Sequence, residues 1–263
     1  MYLLGKVDFA DWQRQGSHCT ASLARFKAAT VPYVIPAILW DMDGTLIDTE
    51  LLWGEAVFTM SEAMGRRASL EVRESTMGTN GPFTVRACAD YAGLELTDEE
   101  ERQWVKRLFE MFLEKLSNGA DLCAGIPEIL AEGREQGIPM IIATNTVRVI
   151  ADKTIDIIGR DWFIDTVCGD EVPSGKPAPD IYLEAARRTG VAPEDCLAVE
   201  DSFTGSSAAV AAGCRTLGAP IEDNGEIADG AHRLSQLIPG RTDFSGMTLA
   251  DLEELYQRIG TPN

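Results

Sequence analysis

The amino-acid sequence predicts an α/β fold, with a Rossmann-like parallel sheet, helices on both faces of the sheet and an inserted α-helical cap domain. Three observations predict it. From Gly125 onward, short apolar runs alternate with helical patterns, which is typical of crossover units in a parallel sheet. The apolar run 35–40 stops abruptly at acidic residues and a glycine, as a buried strand does where it enters a loop. Residues 51–119 carry helical patterns and no strand pattern of any length.

The helical stretch begins soon after the first strand. The apolar residues of Leu51–Met64 and Phe83–Ala92 fit two helices. A third helix starts at the capping box of Thr97 and Glu100, and its apolar residues repeat at helical spacing as far as Leu116. We therefore expect a cap domain at residues 51–119, a core domain at 35–50 and 120–263, and an N-terminal extension at 1–34 without a functional pattern.

Glycines and prolines mark the elements in the rest of the core domain. Pro127 lies in the first turn of one helix, while Gly190 and Gly213 each close another. The predicted elements, in order, are helix 127–136, strand 139–143, helix 148–158, strand 163–168, helix 178–188, strand 196–199, helix 205–212, strand 214–217 and helix 249–259.

Charge and cysteine usage exclude several classes of partner. The formal net charge is −19, and such a surface repels phosphate backbones and anionic lipids, so no nucleic-acid or membrane partner is expected. No stretch approaches the ~20 apolar residues of a transmembrane helix. The six cysteines form no CxxC pair, which predicts a reducing, cytoplasmic location. An anionic substrate would need a local reversal of charge, which a divalent cation and a lysine can supply.

Polar residues follow four of the predicted strands. Ligands of parallel sheets bind beyond the carboxyl ends of the strands, so these residues are the candidates for a site. Two aspartates follow the first strand, a threonine and an asparagine the second, a loop with a lysine the third, and a glutamate and an aspartate the fourth. They are Asp41 and Asp43, Thr144 and Asn145, Lys176, and Glu200 and Asp201.

The acidic residues among them predict a metal site. Carboxylates that converge at one sheet edge repel each other unless positive charge lies among them. Mg²⁺ fits, because it takes oxygen ligands and keeps waters and a substrate phosphate, and Asp41 and Asp201 are the best side-chain ligands. The alternative is a turn at Asp43 and a helix cap at Asp201. Two acidic pairs, each at the end of an apolar strand, favour the site.

The same edge carries groups suited to phosphoryl chemistry. Thr144 and Asn145 precede a helix whose N-terminus can bind an anion, and Lys176 can neutralise a phosphoryl group. We expect these three residues to bind phosphate. Asp41 and Asp43 are two positions apart and can face one substrate. One of them can attack phosphorus, while the other protonates the leaving oxygen and then deprotonates water.

Four segments resemble the motifs of the haloacid dehalogenase superfamily, in its phosphatase and β-phosphoglucomutase-like branch. They are DMDGTLIDTE at 41–50, IATN at 142–145, GKPAPD at 175–180 and VEDS at 199–202, in matching order and spacing. The resemblance covers roughly residues 36–220 and implies a mobile helical cap over a Rossmann-like core.

The resemblance also implies roles for the site residues. Asp41 would be the nucleophile and Asp43 the acid/base. Mg²⁺ would be held by Asp41, the backbone carbonyl of Asp43 and Asp201, with Glu200 in or beside the coordination shell. Thr144 and Lys176 would bind the phosphoryl group. True dehalogenases lack the second aspartate, so Asp43 argues against dehalogenation.

The cap region is expected to choose the substrate. Its glycine-rich stretch 77–82 resembles the specificity loop of the family, and we expect Asn80, Trp53 and Arg86 to contact substrate. Packing of Trp53 inside the cap is the alternative. Sugar phosphomutase relatives carry an arginine near the position of Gly81 and a histidine at that of Trp53. Both departures favour hydrolysis.

The sequence thus predicts a Mg²⁺-dependent phosphohydrolase, a monomer or homodimer, that acts on a small phosphorylated metabolite such as a sugar phosphate. Catalysis would pass through an aspartyl-phosphate. The alternative is a sugar phosphomutase similar to β-phosphoglucomutase. A non-catalytic binding member of the family is disfavoured, because a binding role does not need the acid/base Asp43.

Overall fold

A parallel sheet forms the centre of the protein. The computed structural model describes residues 35–76, 79, 81–220 and 225–260. The predicted N-terminal extension, residues 1–34, lies outside the described residues. Within the described part the strands are β1 (Ala37–Trp40), β2 (Met140–Ala143), β3 (Asp165–Val167), β4 (Cys196–Glu200), β5 (Arg215–Gly218) and β6 (His232–Arg233). Their order in the sheet is β3-β2-β1-β4-β5-β6, and every pair is parallel.

Strand β1 occupies the middle of the sheet and sets its register. Leu39 lies opposite Ile141 of β2 and Ala198 of β4. The side chains of β1 alternate between two apolar layers, with Ile38 in one and Leu39 in the other, because successive residues of a strand point to opposite faces. A strand covered on both faces is apolar throughout, which explains the continuous run in the sequence.

Four helices follow β1 in the described chain before residue 120. They are α1 (Glu50–Ala63), α2 (Leu70–Ser75), α3 (Gly81–Ala92) and α4 (Asp98–Ser117). Helix α4 begins at the predicted capping box, in which Thr97 and Glu100 each bond the backbone of the other. Its buried residues Leu108, Phe112 and Leu116 recur every fourth position and form the stripe against which α1 and α3 pack.

Six further helices accompany the remaining strands in the described chain. They are α5 (Ile126–Gln136), α6 (Arg148–Ile158), α7 (Asp180–Thr189), α8 (Phe203–Ala211), α9 (Leu234–Leu237) and α10 (Leu249–Ile259). Buried residues of α5, α6 and α10 join the apolar layer on one face of the sheet, and those of α7 and α8 join the layer on the other. The sheet is therefore covered by helices on both faces, as predicted.

Two small regions differ from the sequence prediction. Helix α2 was not predicted; it has no buried residue and therefore no apolar stripe to reveal it. Strand β6 and the short helix α9 were also not predicted, since two and four residues are too short for a periodic pattern. The other predicted elements are present, with ends that differ by one or two residues. Among the described helices none has the length and apolarity needed to cross a bilayer.

Candidate active site

The residues predicted at the strand ends come together at the carboxyl edge of the sheet, where β1, β2 and β4 end side by side. Lys176 is the centre of the arrangement. Its Nζ donates to Asp41 Oδ1 at 2.5 Å and to Glu200 Oε1 at 2.6 Å, and its side chain is only 4% exposed. The lysine joins the end of β1 to the end of β4, so residues that are far apart in sequence form one polar cluster.

Three carboxylates lie together in this cluster. Asp41, Glu200 and Asp201 each offer an oxygen, and these oxygens lie within 4.8 Å of one another. Gly44 allows this close approach. It has a φ of 85°, and a Cβ at this position would lie 2.1 Å from an oxygen of Asp201. A side chain at position 44 would therefore collide with the acidic cluster.

Burial and neighbouring charges shift the pKa values of the residues in this cluster. Burial, with repulsion from Glu200, raises the pKa of Asp41 to about 7, although Lys176 opposes the shift. Burial and repulsion from Asp41 and Glu200 raise the pKa of Asp201 well above its usual range. Burial would lower the pKa of Lys176, but the two neighbouring carboxylates outweigh it and raise that pKa. Three carboxylates face one lysine, and this excess of negative charge is the dominant electrostatic feature of the site.

A divalent cation fits this donor set. The ligand atoms are hard oxygens that converge on one point, and their negative charge exceeds that of the lysine. Mg²⁺ uses few protein carboxylates and leaves positions for water and substrate phosphate. The residues present therefore match such an ion in charge, number and chemical type.

The carboxylate of Asp43 lies against three threonines. Thr49 Oγ1 donates to Asp43 Oδ1 at 2.9 Å, and Thr146 Oγ1 donates to Asp43 Oδ2 at 2.7 Å. Thr144 Oγ1 lies 3.5 Å from the same Oδ2 and accepts the backbone N–H of Thr146. The carboxylate of Asp43 is thus fixed beside Thr144, which is fully buried at the end of β2.

Asn145 has a different set of contacts from the other predicted phosphate-binding residues. Its Oδ1 accepts the backbone N–H of Lys176 at 2.7 Å, and its Nδ2 donates to the carbonyl of Lys176 at 3.2 Å. Both polar atoms of the amide are therefore engaged with the backbone that carries the lysine. Phosphate binding by Asn145 remains a prediction.

Glu200 is held more firmly than the sequence suggested. Besides Lys176, the buried hydroxyl of Tyr182 donates to Glu200 Oε1 at 2.6 Å, and Ser202 Oγ donates to Oε2 at 3.3 Å. Gly205 packs against this carboxylate so closely that a Cβ there would lie 2.0 Å from its oxygens. The tight enclosure fixes both oxygens of Glu200 beside Asp41 and Lys176.

Two of the three predicted substrate contacts, Trp53 and Arg86, lie on described helices of the insertion. Trp53 is half-buried and packs its ring against Phe109 and Phe112, with centroids 5.9 and 5.4 Å away. Arg86 is exposed and lies 3.8 Å from Glu101 of α4. Asn80 lies outside the described residues. Trp53 thus has the packing contacts of the alternative interpretation, and substrate contact by these residues stays a prediction.

Sequence reasoning did not assign a role to Thr49, Thr146 or Tyr182. Thr49 lies within the first motif, eight positions after Asp41, and Thr146 lies two positions after Thr144. Their hydroxyls could have been suspected from this spacing alone. Tyr182 gave no local signal, because it lies on helix α7 and its partner Glu200 lies 18 positions later, on strand β4.

The arrangement can be compared with known proteins. The family model of haloacid dehalogenase-like hydrolases matches residues 35–213, which span the sheet edge and all four motifs. The chain belongs to this family.

Named relatives of the chain include phosphatases. It is 34% identical to a probable pseudouridine-5'-phosphatase of Drosophila melanogaster, over 69% of this chain and 80% of the relative. It is 30% identical to hexitol phosphatase B of Escherichia coli, over 74% of this chain and 87% of the relative. A crystal structure of mutant CbbY from Rhodobacter sphaeroides in complex with xylulose-(1,5)bisphosphate has 30% identity and a TM-score of 0.70, and the match covers 83% of this chain and 99% of that one.

These findings confirm the predicted family, the α/β fold and the assignment as a phosphoric monoester hydrolase. The mutase alternative is not better supported. For the metal, the structure provides the buried acidic cluster that the prediction requires.

Proposed function

We propose that this protein is a Mg²⁺-dependent phosphatase of a small phosphorylated metabolite, such as a sugar phosphate, with Asp41 as its nucleophile. One observation carries the proposal. The Nζ of Lys176 lies within 2.6 Å of both Asp41 and Glu200, and Asp201 completes an acidic cluster around them. A carboxylate can approach an anionic phosphoryl group only where positive charge offsets the repulsion, and this edge of the sheet has the lysine and the cation ligands to do so.

The chain's own residues supply the chemical steps. A carboxylate oxygen of Asp41 attacks phosphorus, the bond from phosphorus to the leaving oxygen breaks, and Asp43 donates a proton to that oxygen. Asp43 then removes a proton from water, which attacks the aspartyl-phosphate. Inorganic phosphate leaves and Asp41 is regenerated. Thr144 and Lys176 bind the phosphoryl oxygens throughout.

Asp41, Asp201 and the backbone carbonyl of Asp43 would hold Mg²⁺, with Glu200 beside them. The ion supplies electrostatic stabilisation of the negative charge on the phosphoryl oxygens. Thr49 and Thr146 orient the carboxyl group of Asp43, since each donates a hydrogen bond to a different oxygen.

We also propose that helices α1–α4 act as the cap and supply substrate contacts. Support comes from their place in the chain, after β1, which Asp41 follows, and before β2, which Thr144 follows. Substrate specificity for a sugar phosphate is suggested by the hexitol phosphatase relative. A cytoplasmic location is in keeping with the free thiols of the five described cysteines.

The proposal is tested by phosphate release from a panel of phosphomonoesters with Mg²⁺, with and without EDTA. We expect turnover of at least one sugar phosphate, its loss with EDTA, and a loss of several orders of magnitude in Asp41→Asn. The exposed Asp161→Asn is the matched control and should keep wild-type activity. Near-normal activity in Asp41→Asn would reject the mechanism.

The reaction product distinguishes a phosphatase from a mutase. Incubation with glucose 1-phosphate and a bisphosphate primer yields free phosphate from a phosphatase and glucose 6-phosphate from a mutase. We expect free phosphate, because Trp53 and Gly81 occupy the positions of the mutase histidine and arginine.

A further inference from the structure

Lys176 lies on a long connection without a helix or strand of its own. Residues 168–179 link β3 to α7, and in this stretch the lysine side chain must reach Asp41 and Glu200. A connection of this kind places a side chain accurately only if other contacts fix its backbone. Two groups of contacts do so, and both come from the turn after β2 and the start of α6.

The first group is a fork between Arg148 and Glu171. Arg148 Nε donates to Glu171 Oε1 at 3.0 Å, and Arg148 Nη2 donates to Glu171 Oε2 at 2.7 Å. The same guanidinium donates to the hydroxyl of Thr166 at 2.6 Å and to its carbonyl at 2.9 Å. The bidentate geometry restrains both the position and the orientation of Glu171. The fork therefore ties the beginning of the connection to the first residue of α6.

Two backbone contacts extend the fork. The backbone N–H of Arg148 donates to Asp170 Oδ1 at 2.8 Å, so this carboxylate lies at the N-terminus of α6. Glu171 Oε2 also accepts the backbone N–H of Cys168 at 3.1 Å. Residues 168–171 are thus closed into a compact turn that is attached to α6.

The second group lies at the other end of the connection. The amide of Asn145 makes hydrogen bonds to both the N–H and the carbonyl of Lys176. Gly175 permits this approach, because a Cβ there would lie 2.6 Å from Asn145 Oδ1. The connection is therefore held at 168–171 by Arg148 and at 175–176 by Asn145.

From these contacts we propose that Arg148, through its fork with Glu171, is a positioning residue for Lys176. The inference rests on the proposed function of the site, in which Lys176 binds the phosphoryl group. Arg148 touches none of the proposed reacting groups. Its effect passes through the backbone of residues 168–176, and a displacement of about 1 Å at the lysine can cost on the order of 100-fold in rate.

The test is a double-mutant cycle on Arg148→Met and Lys176→Met, with p-nitrophenyl phosphate and Mg²⁺ as the assay. We expect Arg148→Met to lower kcat/KM by roughly 10- to 100-fold in the wild-type background and by less than about twofold in the Lys176→Met background. Arg160→Met is the control, since this arginine pairs with Asp152 and Asp156, both on α6. Equal losses in both backgrounds would overturn the proposal.

A second measurement does not depend on catalysis. Lysine labelling by trinitrobenzenesulfonate, read by mass spectrometry, reports whether Lys176 stays buried in the folded protein. We expect faster labelling of Lys176 in Arg148→Met and in the isosteric Glu171→Gln, with unchanged labelling of the exposed Lys153. Wild-type protection of Lys176 in both variants would contradict the proposal. An inactive wild type would instead reject the proposed function, while the labelling would still decide the role of Arg148.

Discussion

The carboxyl edge of the sheet and the helical insertion are built on different principles. At the sheet edge, the ionisable residues Asp41, Lys176 and Glu200 are almost fully buried, and burial together with repulsion from Glu200 raises the pKa of Asp41. In helices α1–α4, the buried residues are uncharged and mostly apolar, and the charged residues lie outside, as in an ordinary amphipathic bundle. Buried charge is costly to keep, and among the described residues the buried acidic and basic side chains all lie at this edge. Such a cluster is typical of a functional site.

Among these tests, removal of the Lys176 side chain should have the largest effect, and it acts on the sheet edge rather than on the helical insertion. Lys176→Met should lower kcat by about 10²- to 10³-fold, because a preorganised charge on the phosphoryl oxygens is lost. Steady-state kinetics on the best substrate of the panel measures it. Lys153→Met, on the exposed side of α6, is the matched control and should change kcat by less than about twofold. Equal effects at the two lysines would contradict a special role for the buried one.

Substitutions in the helical insertion should change the stability of the protein rather than the rate of the reaction. Trp53→Ala removes a half-buried ring that packs on Phe109 and Phe112, and should lower the free energy of unfolding by about 2–3 kcal/mol. Urea denaturation measures the change. Trp53→Phe keeps most of the packing, so it separates the two interpretations of this residue. A large rise in KM with little loss of stability in Trp53→Phe would favour substrate contact.

The effect of the buried charges on the free energy of unfolding can be measured in the metal-free protein. The pKa of Asp41 is about 7 against an ordinary 3.8, so the folded state holds its proton at pH values where the unfolded chain has released it. The free energy of unfolding therefore falls as pH rises from about 4 to about 7. Asp201→Asn removes part of the repulsion and should stabilise the metal-free protein by about 1 kcal/mol or more near pH 7.

Thermal unfolding with EDTA at several pH values checks this prediction. Addition of Mg²⁺ should stabilise the wild type more at pH 8 than at pH 5.5, because the ligands bind the ion as carboxylates. The same addition should have little effect on Asp201→Asn. A metal-free protein that becomes more stable between pH 4 and 7, with no gain in Asp201→Asn, would show that the site is not strained by its charges.

The smallest effect is expected at Arg86. Its guanidinium is 61% exposed and lies 3.8 Å from Glu101, so Arg86→Ala should change stability by less than about 0.5 kcal/mol. KM for the best substrate then tests the predicted contact separately. A rise of more than about threefold supports substrate contact, and an unchanged KM would make Arg86 an ordinary surface residue of α3.

By itself the sequence determined the α/β fold and pointed to residues that the structure brings together at the sheet edge, because both depend on local patterns. Apolar runs that end at acidic residues mark the strand ends, and parallel strands bring those ends to one edge. The capping box at Thr97 likewise fixed the start of α4. Helix α2 was not predicted, because it buries no residue and its sequence therefore lacks a periodic apolar pattern.

Only the tertiary structure decided how the site is held together. The hydroxyl of Tyr182 on Glu200, the threonines on Asp43 and the fork from Arg148 to Glu171 join residues whose partners no local pattern can specify. Such contacts depend on distances across strands and loops, which the chain acquires only on folding. The elevated pKa of Asp41 has the same origin, since burial and the proximity of Glu200 exist only in the folded protein.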